Sequence, residues 1–213
     1  MYQVGQAKAN AELVADWLRS NPAKPGSSIL FAGAGTGQMF DFISPKILSP
    51  YRVTFTDINC EYLRCLESRV KPKAQFQFEI LVDDIERSPL RPEFALVVAA
   101  LVLEHVDWRL AVATLCRLGL DNVFVVIQEN PPGSPNAVIE NQPLVGTMRI
   151  FREVHPNLVN RRELTEEFDH HHFSIIQSSE KEVLYKKKMV GLGFKKGHLK
   201  RTGSQENVPR PLD

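Results

Sequence analysis

The chain has 213 residues, enough for one domain with a full apolar core, and its 43% hydrophobic share is ordinary for a globular protein. A formal net charge of +1, from 26 Lys and Arg against 25 Asp and Glu, supplies no field that would draw the whole molecule to nucleic acid or to a membrane. The first residues lack a basic head followed by an apolar run, and no stretch reaches the ~18 to 20 apolar residues of a membrane span, so a soluble cytoplasmic protein is expected.

Helical periodicity opens the chain. From Ala7 to Arg19 the side chains of Leu13, Val14, Trp17 and Leu18 share one side, and Asn21-Pro22 ends the segment. Ser28 to Ala32 reads as the first strand. A helix is expected to start at the glycines that follow and to carry Phe40, Ile43 and Ile47, with Pro45 kinking it or cutting it short. Arg52 to Asp57 is the second strand. Asn59 then caps a helix with an apolar face of Tyr62, Leu63, Leu66 and Val70, which Pro72 stops.

The third strand is expected at Phe76 to Val82. Phe94 to Ala100 is apolar throughout, as suits a central parallel strand buried on both faces. Asp107 caps a helix to about Leu118, and Val123 to Ile127 is strand five. Beyond Asn130 a Pro- and Gly-rich loop opens an irregular region to Val159, a kind of insertion that often carries substrate contacts. Arg161 to Phe168 is a last helix, and Phe173 to Ile176 and Lys188 to Phe194 are two further strands that pair antiparallel at the sheet edge. The pattern predicts a doubly wound, mostly parallel seven-stranded α/β sheet with helices on both faces. One domain covers residues 1–196, and the polar stretch 197–213 reads as a flexible tail. Cys60, Cys65 and Cys116 lack metal-ligand spacing and read as buried helix thiols in a reducing compartment.

A strand that runs into Gly33-Ala34-Gly35-Thr36-Gly37 and then a helix places backbone N–H groups at the strand's carboxyl edge, where nucleotide-like ligands bind. Asp57 ends the second strand twenty positions beyond Gly37, at the place where a carboxylate can accept ribose hydroxyls or cap the next helix. Ile58 follows it and can lie against a purine. Asp83-Asp84-Ile85 ends the third strand at the same edge, and spacing leaves open which carboxylate meets the adenine amino group.

Four segments in order resemble the class I methyltransferases that use S-adenosylmethionine, especially the small-molecule branch that includes ubiquinone-biosynthesis enzymes. Ile29 to Gly37 is similar to that family's glycine motif, Thr56-Asp57-Ile58 to its ribose motif, Asp84-Ile85 to its adenine motif, and Phe94 to Val106 to its fourth-strand motif. The resemblance implies S-adenosylmethionine held by Gly33, Ala34, Gly35, Gly37, Asp57, Ile58, Asp84, Ile85 and Ala100, and a small-molecule acceptor. Charge balance, the lack of a membrane-length apolar run and the lack of ligand spacing point to no nucleic-acid, membrane or metal partner, and oligomeric state stays open. The family usually carries Asp or Glu two residues before the first glycine, and here that position is Phe31.

Where the acceptor has a proton to lose, a histidine near neutral pKa is the usual base, and His105 and His155 are the candidates, with Arg152 and Glu153 beside the latter. Glu104-His105 also suits a purely local structural bond. Asn130-Pro131-Pro132 follows the fifth strand rather than the fourth and lacks a following aromatic residue, so it reads as a loop breaker and not as an amino-methylating signature. His170-His171-His172 cannot readily turn three consecutive rings to one ion, and Lys186 to Lys188 read as solvated edge-strand lysines. Two other readings of the chain are a non-catalytic binding module, motivated by Phe31, and a nicotinamide dehydrogenase, which Gln38 disfavours by standing where a dinucleotide fold has its third glycine.

Overall fold

Strands β1 (Ser28–Ala32), β2 (Arg52–Asp57), β3 (Gln77–Val82), β4 (Phe94–Ala100) and β5 (Gly119–Glu129) pair in parallel, as a βα alternation requires. β6 (Phe173–Glu182) and β7 (Lys188–Lys196) close one end of the sheet, with β7 antiparallel to both β5 and β6, in the order β3-β2-β1-β4-β5-β7-β6. The computed structural model describes residues 2–91, 93–131 and 158–197. The irregular region expected to Val159 lies largely outside these residues, as does the tail beyond Gly197.

Period-two alternation divides the strand side chains between two helical layers. Leu30, Val97, Val125 and Leu192 face helices α4 (Trp108–Leu118) and α5 (Arg161–His170), whose Val112, Leu115, Leu164 and Phe168 complete that core. Ile29, Phe31, Phe55, Val98 and Phe124 face the other side, where α1 (Tyr2–Ser20) and α3 (Cys60–Val70) supply Leu13, Trp17, Leu66 and Val70. Helices therefore cover both faces, as expected. β6, at the edge, is buried at Phe173 and otherwise mostly exposed.

Asn59, Asp107 and Asn160 cap α3, α4 and α5, each accepting two backbone N–H bonds. The helix expected directly after the glycines does not form. The chain instead makes a 3-10 turn at Gln38–Asp41 and a single helical turn, α2 (Pro45–Leu48), because Pro45 lacks the N–H that an interior helical position needs and stands at a helix start. Cys116 is buried, but Cys60 and Cys65 are exposed, which corrects the expectation of three buried thiols. They lie on the outer face of α3, away from Leu63, Leu66 and Val70. β5, β6 and β7 also extend further than their apolar runs, because hydrogen-bonded pairing continues past the buried segment.

α1 is seated on the sheet through Trp17, which is fully buried and stacks on Phe124 with ring centroids 5.0 Å apart. The ring fits only because β7 has Gly193 beneath it: a Cβ there would lie 1.9 Å from Trp17 Cζ3. Gly193→Ala should therefore destabilise the fold by about 2 kcal/mol or more through overpacking. Pairing it with Trp17→Leu should recover part of that loss in a double-mutant cycle followed by denaturant unfolding; strictly additive costs would show that the two side chains do not compete for one space.

Candidate functional site

The carboxyl ends of β1 to β5 share one edge of the sheet, and the loops that leave them form the candidate site. After β1, Gly33, Gly35 and Gly37 take φ of 63°, 56° and 74°, in the left-handed region that side chains with a Cβ resist. A Cβ at Gly33 would lie 2.3 Å from Val102 Cγ2 and one at Gly37 would lie 3.0 Å from Leu66 Cγ, so these two glycines also let neighbouring elements close on the loop. Gly35 differs. A Cβ there would meet nothing within 4 Å among the described residues, so its backbone faces open space there.

Asp57 holds this loop in place. Its Oδ2 accepts the Gly35 N–H at 2.9 Å and its Oδ1 accepts the Asn59 N–H at 2.9 Å, while Asn59 itself caps α3. The loop is tied down twice more, by Ala34 N to Thr56 O at 2.8 Å and by Arg69 Nε to Thr36 O at 3.1 Å. A carboxylate has about four acceptor positions, so two bonds do not exhaust Asp57. Next to it Ile58 is 68% exposed, and Val82 at the end of β3 is 65% exposed, which leaves two apolar side chains bare at this edge.

The two acidic residues after β3 separate by environment. Asp83 is buried, and burial holds its pKa above the ordinary carboxylate value against a hydrogen bond from Ser88. Asp84 is partly exposed and accepts the Glu86 N–H through Oδ1 at 3.0 Å, and Ile85 is buried behind it. Asp84 is thus the carboxylate turned toward solvent at the edge. Glu86 Oε1 in turn accepts the Asp107 N–H at 2.8 Å and joins this loop to the one after β4.

Phe31 points away from the edge. It is 2% exposed and packs edge-on against Phe40 and stacked against Phe55, with centroids 5.0 and 5.6 Å apart. Position 31 therefore belongs to the core beneath the loop and carries no charge to the site.

Beyond Ala100, at the end of β4, Leu101 has φ 56°, an uncommon value for a side chain of its size, and a short 3-10 turn at Leu103–His105 follows. Glu104 is 4% exposed: Oε1 accepts the Gln128 N–H at 2.9 Å, and Oε2 has no hydrogen-bond partner among the described residues. Burial raises its pKa to about 7, against the opposing hydrogen bond from Gln128. The local bond expected at Glu104 is not what its carboxylate makes: it accepts instead from the end of β5, 24 positions along the chain. Gln128 then accepts from Gln6 Nε2 at 3.0 Å and donates to Asn130 Oδ1 at 2.8 Å, linking α1, β5 and the turn after β4. No sequence spacing signals this chain, since Gln6 and Gln128 lie 122 positions apart.

His105 is exposed, and the surrounding protein lowers its pKa below the ordinary imidazole value by desolvation. Arg152, Glu153 and His155 lie outside the described residues. Of the histidine triplet, His170 ends α5, His171 Nε2 lies 3.5 Å from Glu167, and His172 turns the chain into β6. Among the described residues no helix is long and apolar enough to cross a membrane.

Comparison with known proteins bears on this arrangement. Residues 30–127 match the family model described as a methyltransferase domain. Among solved structures, magnesium protoporphyrin IX methyltransferase from Synechocystis PCC 6803, with bound SAH, is similar at a TM-score of 0.69 and 14% identity, covering 92% of this chain and 85% of that one. Geranyl diphosphate C-methyltransferase from Streptomyces coelicolor A3(2) is similar at a TM-score of 0.63 and 13% identity, covering 87% and 80%. The YcgJ protein from Bacillus subtilis reaches 0.65 at 15% identity, covering 88% and 98%. At such identities the likeness establishes the fold. No curated protein matches the chain.

Glu104 makes a testable contribution to pH dependence. Its pKa is higher in the folded chain than the 4.5 of a free glutamate, so its contribution is fully present below about pH 4.5 and is lost as pH rises toward 7. The wild type should lose on the order of 3 kcal/mol across that window from this group alone. Glu104→Gln cannot ionise, so its melting temperature should gain on the wild type as pH rises from 4.5 to 7.5; parallel curves would show that Glu104 titrates normally.

Proposed function

Starting from residues 30–127 as a methyltransferase domain within a class I methyltransferase fold, we propose that the chain binds S-adenosylmethionine and transfers its methyl group to a small-molecule acceptor. The observation that carries this reading is the convergence at one sheet edge of an open glycine backbone at Gly35, a carboxylate with spare acceptor positions at Asp57, and a solvent-facing carboxylate at Asp84. Two of the similar structures were solved with SAH and with SAM bound, and another with geranyl diphosphate and sinefungin.

In this reading Gly33, Ala34, Gly35 and Gly37 form the floor on which the cofactor lies, and the remaining acceptor positions of Asp57 take the ribose hydroxyls. Ile58 and Val82 cover the two sides of the adenine, and Asp84 accepts its amino hydrogen. Buried Ile85 backs this wall, and Ala100 borders it at the end of β4. When bound, the cofactor supplies an electrophilic methyl on a positively charged sulfur, for which alignment matters more than an obligatory base. His105, held largely neutral at pH 7, is able to take a proton from a hydroxyl or ammonium acceptor, and His155 remains a second candidate base.

A second reading, a binding module without catalysis, draws on Phe31, whose burial leaves no carboxylate at that place for the methionine end of the ligand. Cofactor binding and turnover separate the two. Calorimetry should give saturable, micromolar-range SAH binding. Asp84→Ala should weaken it about tenfold or more without disturbing the loop, and Asp57→Ala should weaken it further because it also frees Gly35. A chain that binds neither SAM nor SAH, or binds NADH saturably instead, would overturn the proposal. Binding without methyl transfer to any of a panel of hydroxyl, amino and carbon acceptors would favour the module.

A further inference from the structure

We propose that the cleft between the first half of α1 and the β6–β7 turn receives an anionic group, a carboxylate or phosphate, carried by the methyl acceptor. The inference rests on the methyltransferase reading for its ligand but on separate residues for its evidence. The cleft has a volume of about 690 Å³, within the range of small-molecule sites. Its walls are the α1 residues Gly5 to Glu12 and the segment Lys181 to Lys186.

Position ties the cleft to the site. β7 starts at Lys188 opposite Glu129, the carboxyl end of β5, so the turn that precedes it lies at the same edge as the glycine loop. On the facing wall, Gln6 next to Gly5 is bonded to Gln128, which also holds Glu104. An acceptor anchored in this cleft can extend along the edge toward the end of β4.

Charge selects the ligand. Lys181 Nζ is engaged with Glu12 at 3.1 Å and with Asp16 at 4.0 Å, which braces the two walls against each other and neutralises Glu12. Lys8 and Lys186 also line the cleft, are exposed, and have no partner among the described residues. Only Glu182 stands against them, so the cleft is net positive. Two exposed ammonium groups lining one cleft, against the single unengaged carboxylate of Glu182 among the described residues, favour an anion there. Leu184, 57% exposed on the same rim, and Ala9 and Val183 within it offer apolar surface for the body of the ligand.

The backbone supports the assignment. Lys186 has φ 56°, a conformation that goes with the tight turn between the antiparallel strands β6 and β7 and fixes its place in that turn. The bond from Val183 N to Lys187 O at 2.8 Å closes the turn and presents Lys186 at the rim.

The test uses octanoate and octyl phosphate as anionic probes and octanol as the neutral one, titrated calorimetrically into the full chain below micelle-forming concentrations, with SAH titrated separately. The expected result is saturable binding of at least one anion, at least tenfold tighter than octanol, with the tighter head group identifying carboxylate or phosphate. The Lys8→Ala/Lys186→Ala variant should lose that binding at least tenfold while keeping its melting temperature and SAH affinity, since both lysines are exposed. Octanol binding as tightly as the anions, wild-type anion affinity in the variant, or no saturable anion binding would each overturn the proposal. Lysine-dependent anion binding by a chain that ignores SAH would instead overturn the methyltransferase reading and leave the anion site standing.

Discussion

The two bonds accepted by the Asp57 carboxylate hold together the end of β2, the glycine loop after β1 and the start of α3. Positive φ at three glycines is a costly backbone state for a flexible chain, since glycine has the most freedom to lose on ordering. Gly35 has open space among the described residues where a Cβ would be, so its N–H bond to Asp57, with the ties of Ala34 and Thr36 on either side, fixes it in place of packing. A ligand contact at Asp57 is thereby coupled to loop geometry. Drawing the carboxylate aside frees the Gly35 N–H, while Ala34 and Thr36 keep their own ties to Thr56 and Arg69.

Beneath that loop the strand alternation decides what each position is free to do. Ala32 and Leu30 belong to the layer of α4 and α5, so Phe31 must face α1 and α3, where Phe40 and Phe55 enclose it. A carboxylate at position 31 would enter this aromatic cluster, where ionisation is unfavourable without a partner. The aromatic residue gives the shortened segment after the loop a core to rest on: Phe40 lies in the 3-10 turn that replaces a full helix. Phe31 and Phe40 thus seat the 3-10 turn on the strands beneath the loop, while Pro45 starts the short helical turn that follows.

Most of the fold was legible because it depends on local signals. β1, β2 and β4 begin and end where the apolar runs do, and the Asn59 and Asp107 caps sit where the side chains predict. The class of the fold and the methyltransferase resemblance followed from the order of those segments. What could not be read were contacts between distant positions. Trp17 requires Gly193, Gln6 reaches Gln128, and Arg161 clamps Glu129 and Glu180, at 2.8 and 2.6 Å, from 32 and 19 positions away. Residue type alone also left Asp83 and Asp84 equivalent; only the burial of Asp83 separates them. The outward turn of Cys60 and Cys65 was missed because helical membership says nothing about which face is covered.

The polar chain from Glu104 through Gln128 to Gln6 has a further consequence. Glu104 Oε2 is buried with no donor among the described residues, so burial disfavours the ionised form and raises the pKa to about 7. The neutral acid still accepts from Gln128 N, but an ionised one attracts that N–H more strongly and also seeks a second donor. Any adjustment that brings a donor to Oε2 must move the turn after β4 or the end of β5, and Gln128 passes movement of β5 to α1 through Gln6. α1 is firmly seated at its other half by Trp17 on Phe124, so it has a fixed end and an end that answers to this network. The end tied to this network is the one that borders the lysine cleft. The buried acid at the end of β4 and the α1 wall of the cleft thus belong to one hydrogen-bonded chain, running from Glu104 through Gln128 to Gln6.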